Sequence, residues 1–166
     1  MADYLFVRQT DGFTCGPTVA LVASAALDPA YGATVTDAAA EQHRLHAAAN
    51  RLWPRKLGTT PWGVAAVISA HTEALGVKYT WRLFRKDLGA VLAAVESGWP
   101  VAMLIGSTIP RHWVLIVGHE DGALRCFNPS RGEATTFTVA DAQTRHLDTL
   151  GFPRAFAVVL PGRTLN

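Results

Sequence analysis

"RQTDGFTCGPTVALVASAAL" runs from Arg8 to Leu27 and sets a cysteine where a turn-like stretch gives way to a long apolar run. Thr14 reads as a helix cap, Pro17 falls in the first turn, where a missing N–H costs little, and the rest to Leu27 is almost wholly apolar. A helix apolar all round is a buried helix. Cys15 therefore stands at the positive end of a buried helix, one of the few places where a protein can lower a thiol pKa. Gly16 keeps the approach uncrowded. Gln9, turned back by "TDGF", can aim a side-chain N–H at the same spot as the Cys15 backbone N–H. Two converging donors beside a nucleophile make an oxyanion hole. The competing reading is a buried, inert thiol, the commonest state of free cysteine.

Outward from that stretch, the 166 residues are 49% hydrophobic and only 17% charged, which suits one domain with a single core over 1–166 and argues against disorder. The net charge is +2 with scattered basic residues, "WPRK" (Trp53 to Lys56) being the nearest to a cluster, so no nucleic-acid or anionic-membrane surface is expected. The N-terminus lacks a secretory pattern and no apolar run is long enough to span a bilayer, so the expected location is cytoplasmic. Two cysteines, Cys15 and Cys126, cannot make a disulfide framework, although a regulatory bridge between them is conceivable.

The first half reads as helical. "DPAYG" (Asp28 to Gly32) ends the cysteine helix, and "TDAAAEQHRLHAAANRLW" is a second helix capped by Thr36 or Asp37. "TTPWGVAAVISAHTEALG" has Thr60 as cap, Pro61 at the first helical position and Gly76 past the end. The second half brings a strand at "VKYTWRLF", a helix at "KDLGAVLAAVESG", and five β-rich runs: "WPVAMLIG", "HWVLIVG", "ALRCFNP", "ATTFTV" and "AFAVVLP". Helices followed by strands predict an α+β fold with a mainly antiparallel sheet.

A nucleophilic thiol needs a base, and the base an orienter. Among six histidines, His112 stands out because it opens a strongly apolar strand, where a polar residue needs a reason. His119 and His146 lie in polar surroundings, His71 reads as helix surface or a satisfied core residue, and His43 and His46, three apart on a helix, read as an exposed face rather than a metal pair. Asn128, sixteen residues after His112, is the candidate orienter; the alternative is a plain turn former before Pro129. If the two strands form a hairpin through "HEDG", a five-residue loop sets Asn128 opposite His112 and a three-residue loop sets it diagonally on the same face. A loop of two or four sends it to the other face, and "DG" is a strong two-residue turn signal.

Gln, five residues, then Cys-Gly at a helix start, a later His opening an apolar strand, and a polar residue before Pro resemble the papain-like cysteine peptidases. The closest likeness is to the bacterial branch that trims double-glycine leaders from bacteriocin precursors. "TTPWGVAAVISAHTEALGV" and "LAAVESGWPVAMLIG" look like its connecting segments. The resemblance implies a papain-like fold, Cys15 as nucleophile, His112 as base and then acid, Asn128 orienting the imidazole, and Gln9 in the oxyanion hole. The branch commonly has Asp where this chain has Thr14 and Asn128; an Asn carbonyl can still accept the imidazole N–H. Its members are often fused to a transporter.

The expected activity is thiol-dependent hydrolysis of a peptide, isopeptide or amide bond in a peptide or protein substrate, with no cofactor and no metal. An acyltransferase or a glutamine deamidase using the same residues is the second reading, and a non-catalytic binding module the third. Trp113, Trp62 or Trp99 can wall a cleft, although tryptophan is more often core.

Overall fold

The computed structural model describes residues 4–49 and 58–162; the basic stretch "WPRK" and the end of the second helix lie outside them. The elements run α1 (Cys15–Leu27), α2 (Pro29–Thr34), α3 (Ala38–Ala49), α4 (Pro61–Ala70), β1 (Tyr79–Leu83), α5 (Gly89–Glu96), β2 (Val101–Gly106), β3 (Pro110–Glu120), β4 (Ala123–Asn128), β5 (Glu133–Thr138), α6 (Val139–Gln143) and β6 (Arg154–Pro161). The six strands form one sheet in the order β1-β6-β2-β3-β4-β5, and every pairing is antiparallel. Helices packed on that sheet give the α+β arrangement, with an antiparallel sheet, that the sequence leads one to expect.

Local chemistry explains most boundaries. Thr60 caps α4 by accepting the Gly63 N–H at 3.1 Å, with Pro61 beginning the helix. Asp37 accepts the Ala40 N–H at 3.1 Å ahead of α3. Asp28 ends the cysteine helix at Leu27, as expected, and its carboxylate also accepts the Tyr31 N–H and starts α2, a helix not read from the sequence. Gly76, in the left-handed region at φ 73°, closes a 3-10 turn (Glu73–Leu75) and not α4, which ends at Ala70. Helix α6 and a second 3-10 turn (Asp148–Leu150), neither read from the sequence, fill the link between β5 and β6.

The sheet divides the apolar interior in two. On one face α1, α3 and α4 pack Val19, Leu21, Leu45, Val64 and Ile68 against Trp113, Leu115 and Phe127. On the other, α5 and α6 pack Leu88, Val91 and Ala142 against Val114, Ile116 and Leu124. Fully burying an aliphatic or aromatic side chain contributes about 1.5–3 kcal/mol, so both cores secure the strands between them. Cys15 belongs to the first core and Cys126 to the second. Both thiols are free, and their placement on opposite faces removes the conceivable Cys15–Cys126 bridge.

Candidate active site

Cys15 is the first residue of α1 and is 5% exposed. Thr14 stands at the N-cap position but does not cap. Its hydroxyl turns backward to accept the N–H groups of Thr10 (3.1 Å) and Asp11 (3.2 Å), pinning the preceding loop. The first N–H groups of α1 are left facing the sulfur, which is served by the backbone of Trp113, Gly16 and Cys15 itself. Burial nevertheless pushes the thiol above its ordinary 9.0, and those donors only partly offset it. The lowered thiol pKa expected from the helix end is therefore overturned: desolvation wins because the sulfur is packed under β3.

His112 is the third residue of β3 and 7% exposed; Asn128 ends β4 and is 2% exposed. The hairpin joining them has the two-residue turn Asp121-Gly122, flanked by the pair Glu120–Ala123, with φ of 52° and 76°. That turn alone sends Asn128 to the wrong face. A bulge corrects it: between Ile116 and Gly118 the register slips by one, Val117 being the extra residue, so Leu115 faces Phe127 and Ile116 faces Cys126. Continued one step, the register sets Asn128 opposite Val114, diagonal to His112 and on the same face. A second bulge, at Arg111, separates the pairs Gly106–Pro110 and Ile105–His112. Gly106 is obligatory there, because a Cβ would lie 2.0 Å from the Ile109 carbonyl oxygen.

The imidazole Nε2 and Asn128 Oδ1 are 2.8 Å apart. The Asn128 amide has one workable orientation, since Nδ2 donates to the Leu150 carbonyl (3.3 Å) and Oδ1 accepts the Ser130 N–H (3.1 Å) and Ser130 hydroxyl (2.8 Å). An oxygen acceptor facing Nε2 means that Nε2 carries the proton and Nδ1 keeps its lone pair. Burial holds the His112 pKa below 6.5, with the Asn128 hydrogen bond acting in the opposite direction. Ser130 and the Leu150 carbonyl complete this arrangement; neither was legible in the sequence, except that Ser130 follows Asn-Pro.

Cys15 reaches the same region through Trp113, the residue after His112, whose N–H faces the sulfur. Among the described residues no hydrogen bond closes between the sulfur and the imidazole. Gln9 is held against the loop after Asn128: its N–H donates to the Pro129 carbonyl at 2.8 Å, and Arg8 Nε donates to the Ser130 carbonyl at 3.1 Å. Its side-chain Nε2 donates to the Asp11 carbonyl at 2.6 Å, leaving a second N–H, while Oε1 is buried and unpartnered. Gln9 is thus tied to the loop that follows Asn128, and it makes no hydrogen bond to the sulfur or the imidazole.

A cleft of about 230 Å3 opens over Cys15, walled by Thr59, Thr60, Trp62, Leu104, Arg111 and Trp113. Trp113 is core, 1% exposed, with its indole N–H on the Thr59 carbonyl at 2.9 Å; Trp62, against the core expectation, is 54% exposed. The other histidines have different partners: His71 pairs with Asp28, His119 with Glu96, and His146 with Thr144. His43 is exposed and His46 buried, so the two do not share an open face. Among the described residues no group of three or more His, Cys, Asp or Glu could hold a metal ion, and no helix is long and apolar enough to cross a membrane.

No protein-family model matches the chain, and no curated protein does. Solved structures do. The peptidase domain of Streptococcus ComA, a bifunctional ABC transporter involved in quorum sensing, aligns over 96% of this chain and 98% of its own at 16% identity and a TM-score of 0.58. A double-glycine-motif protease from an AMS/PCAT transporter, solved with its leader peptide, covers 96% and 91% at 11% identity and 0.54. A C39-like peptidase from Bacillus anthracis covers 96% and 94% at 11% identity and 0.58. Across nearly its whole length, the chain has the papain-like fold of the double-glycine, bacteriocin-leader peptidase domains.

Proposed function

We propose that residues 1–166 act as one thiol peptidase domain cleaving a peptide bond through a Cys15–His112–Asn128 triad. The observation that carries this reading is the 2.8 Å contact between Nε2 and Asn128 Oδ1, which leaves the Nδ1 lone pair free one residue from the N–H that faces the sulfur. Solved peptidase domains with this fold support it, one of them holding a peptide.

The directions of the two pKa shifts dictate a neutral starting pair: a protonated thiol and an uncharged imidazole. Nδ1 takes the thiol proton as the sulfur attacks the substrate carbonyl. The resulting imidazolium is steadied through its Nε2–H on Asn128 Oδ1. The oxyanion is received by the Cys15 N–H and by the second N–H of Gln9. The imidazolium then gives its proton to the leaving amine as the C–N bond breaks, producing a thioester. Nδ1 next deprotonates a water that attacks the thioester, and returning that proton to sulfur releases the acid. No metal or organic cofactor enters these steps, and the proposed setting is cytoplasmic.

The test pairs two reagents. Iodoacetamide, which needs only a thiolate, is expected to alkylate resting Cys15 more slowly than a free thiol at pH 7, with the rate still climbing above pH 9. A peptidyl-Gly-Gly chloromethyl ketone, which fills the cleft, is expected to label Cys15 rapidly in the parent and not in His112→Ala. Release of aminocoumarin from a peptidyl-Gly-Gly anilide should fall to background in Cys15→Ala. Undiminished release in that variant sinks the reading. A product carrying an added amine instead of water would convert it to acyl transfer.

A further inference from the structure

Gln42 lies on α3, has no place in the chemistry above, and is 1% exposed. Its side-chain amide grips the chain on both sides of Gln9. Nε2 donates to the Arg8 carbonyl at 3.0 Å, and Oε1 accepts the Thr10 N–H at 3.0 Å. The carbonyl can only accept and the N–H can only donate, so the amide has a single workable orientation. Gln9's own N–H goes elsewhere, to the Pro129 carbonyl at 2.8 Å, directly after Asn128. The backbone around Gln9 is therefore held from two directions, by a helix side chain and by the loop that follows the imidazole's partner. Thr14 adds a third hold through the Thr10 and Asp11 N–H groups.

A buried carboxamide is costly unless both of its ends are matched, and here both are. Packing alone does not ask for an amide there; leucine has a similar volume. We infer that Gln42 is a positioning residue for the oxyanion hole, fixing the Arg8–Thr10 backbone so that the Gln9 side chain is presented to the cleft. This rests on the reading of Gln9 as an oxyanion donor.

The experiment uses the full chain, the peptidyl-Gly-Gly aminocoumarin anilide and iodoacetamide, with Gln42→Leu, Gln42→Glu, Gln9→Ala and the double variant Gln9→Ala/Gln42→Leu. Gln42→Leu is expected to lower kcat about tenfold, part of the roughly 10²–10³ that an oxyanion donor supplies, with KM and the iodoacetamide rate unchanged. In the Gln9→Ala background the same change should cost nothing more, because the residue it positions has gone. Gln42→Glu adds a signature of its own. Its carboxylate cannot donate to the Arg8 carbonyl, whereas the protonated acid can, so its kcat relative to the parent should recover as pH falls. If Gln42→Leu does not fold, this pH series carries the test alone.

The inference fails if Gln42→Leu costs the same factor with and without Gln9, if kcat and alkylation fall together, or if the Gln42→Glu ratio is flat with pH. A normal Gln9→Ala defect beside an unaffected Gln42→Leu sinks the positioning role alone. An unaffected Gln9→Ala sinks the oxyanion reading beneath it.

Discussion

The hairpin that carries His112 and Asn128 and the loop that leads from Gln9 into Cys15 place the candidate site residues by different means. In the hairpin, backbone pairing does the placing: β3 is laddered to β2 on one side and to β4 on the other, and one bulged residue decides which face Asn128 presents. In the loop there is no ladder. Two side chains, that of Thr14 just before α1 and that of Gln42 on α3, hold the backbone instead. The first half of the site therefore depends on which side chains surround it, and the second half on how many residues lie between two points.

That difference can be pushed hardest at Val117. Deleting it should let the ladder run without a slip and turn Asn128 away from His112, lowering anilide turnover about 10⁴-fold, the loss seen when the orienting member of a catalytic triad is disabled. Turnover near the parental level would show that the turn absorbs the deletion and that the bulge does not set the face. On the other side of the comparison, Gly16→Ala places a Cβ 2.6 Å from Thr59 Cβ and 3.2 Å from the Trp113 ring. We expect a loss of about 1–3 kcal/mol in denaturant titration, with turnover reduced as the Thr59 wall moves.

Asn128→Asp is the subtler change. A carboxylate beside Nε2 favours the imidazolium, so the His112 pKa, now held below 6.5, should rise and the acid limb of kcat/KM should move up by about one unit. The stability profile follows with the sign worked out. In the parent the unfolded chain takes up a proton near 6.5 and the folded chain only lower, so stability is lost as pH falls through that window. The variant should lose less there, and an unchanged acid limb would remove His112 as the titrating base. The smallest effect belongs to the turn: Asp121→Asn keeps a residue that tolerates φ 52° before Gly122, and should shift stability by less than about 0.5 kcal/mol with turnover unaltered.

What could be read from the sequence was what local chemistry governs. The Thr60–Pro61 start of α4 and the buried run after Cys15 depend on neighbours in the chain, and both stand as expected. The pairing of His112 with Asn128 was legible only as a conditional, because a bulge inside "VLIVG" leaves no local mark beyond the glycine at 118. The thiol's direction was misjudged because a helix end is visible in a sequence and the packing of Trp113 over it is not. Gln42 escaped notice for the same reason: its partners lie 32 and 34 residues away, and nothing in "AEQHR" announces them.

The hydrogen bond from Arg8 to Ser130 joins residues 122 apart, and the sulfur and the imidazole come from opposite halves of the chain. A ribosome that has translated only as far as β2 displays a chain with Cys15 but with neither His112 nor Asn128. On the proposed reading the thiol gains its base, and the base its orienter, only once β3 and β4 have joined the sheet. Order of synthesis thus acts as a safety catch on the proposed chemistry.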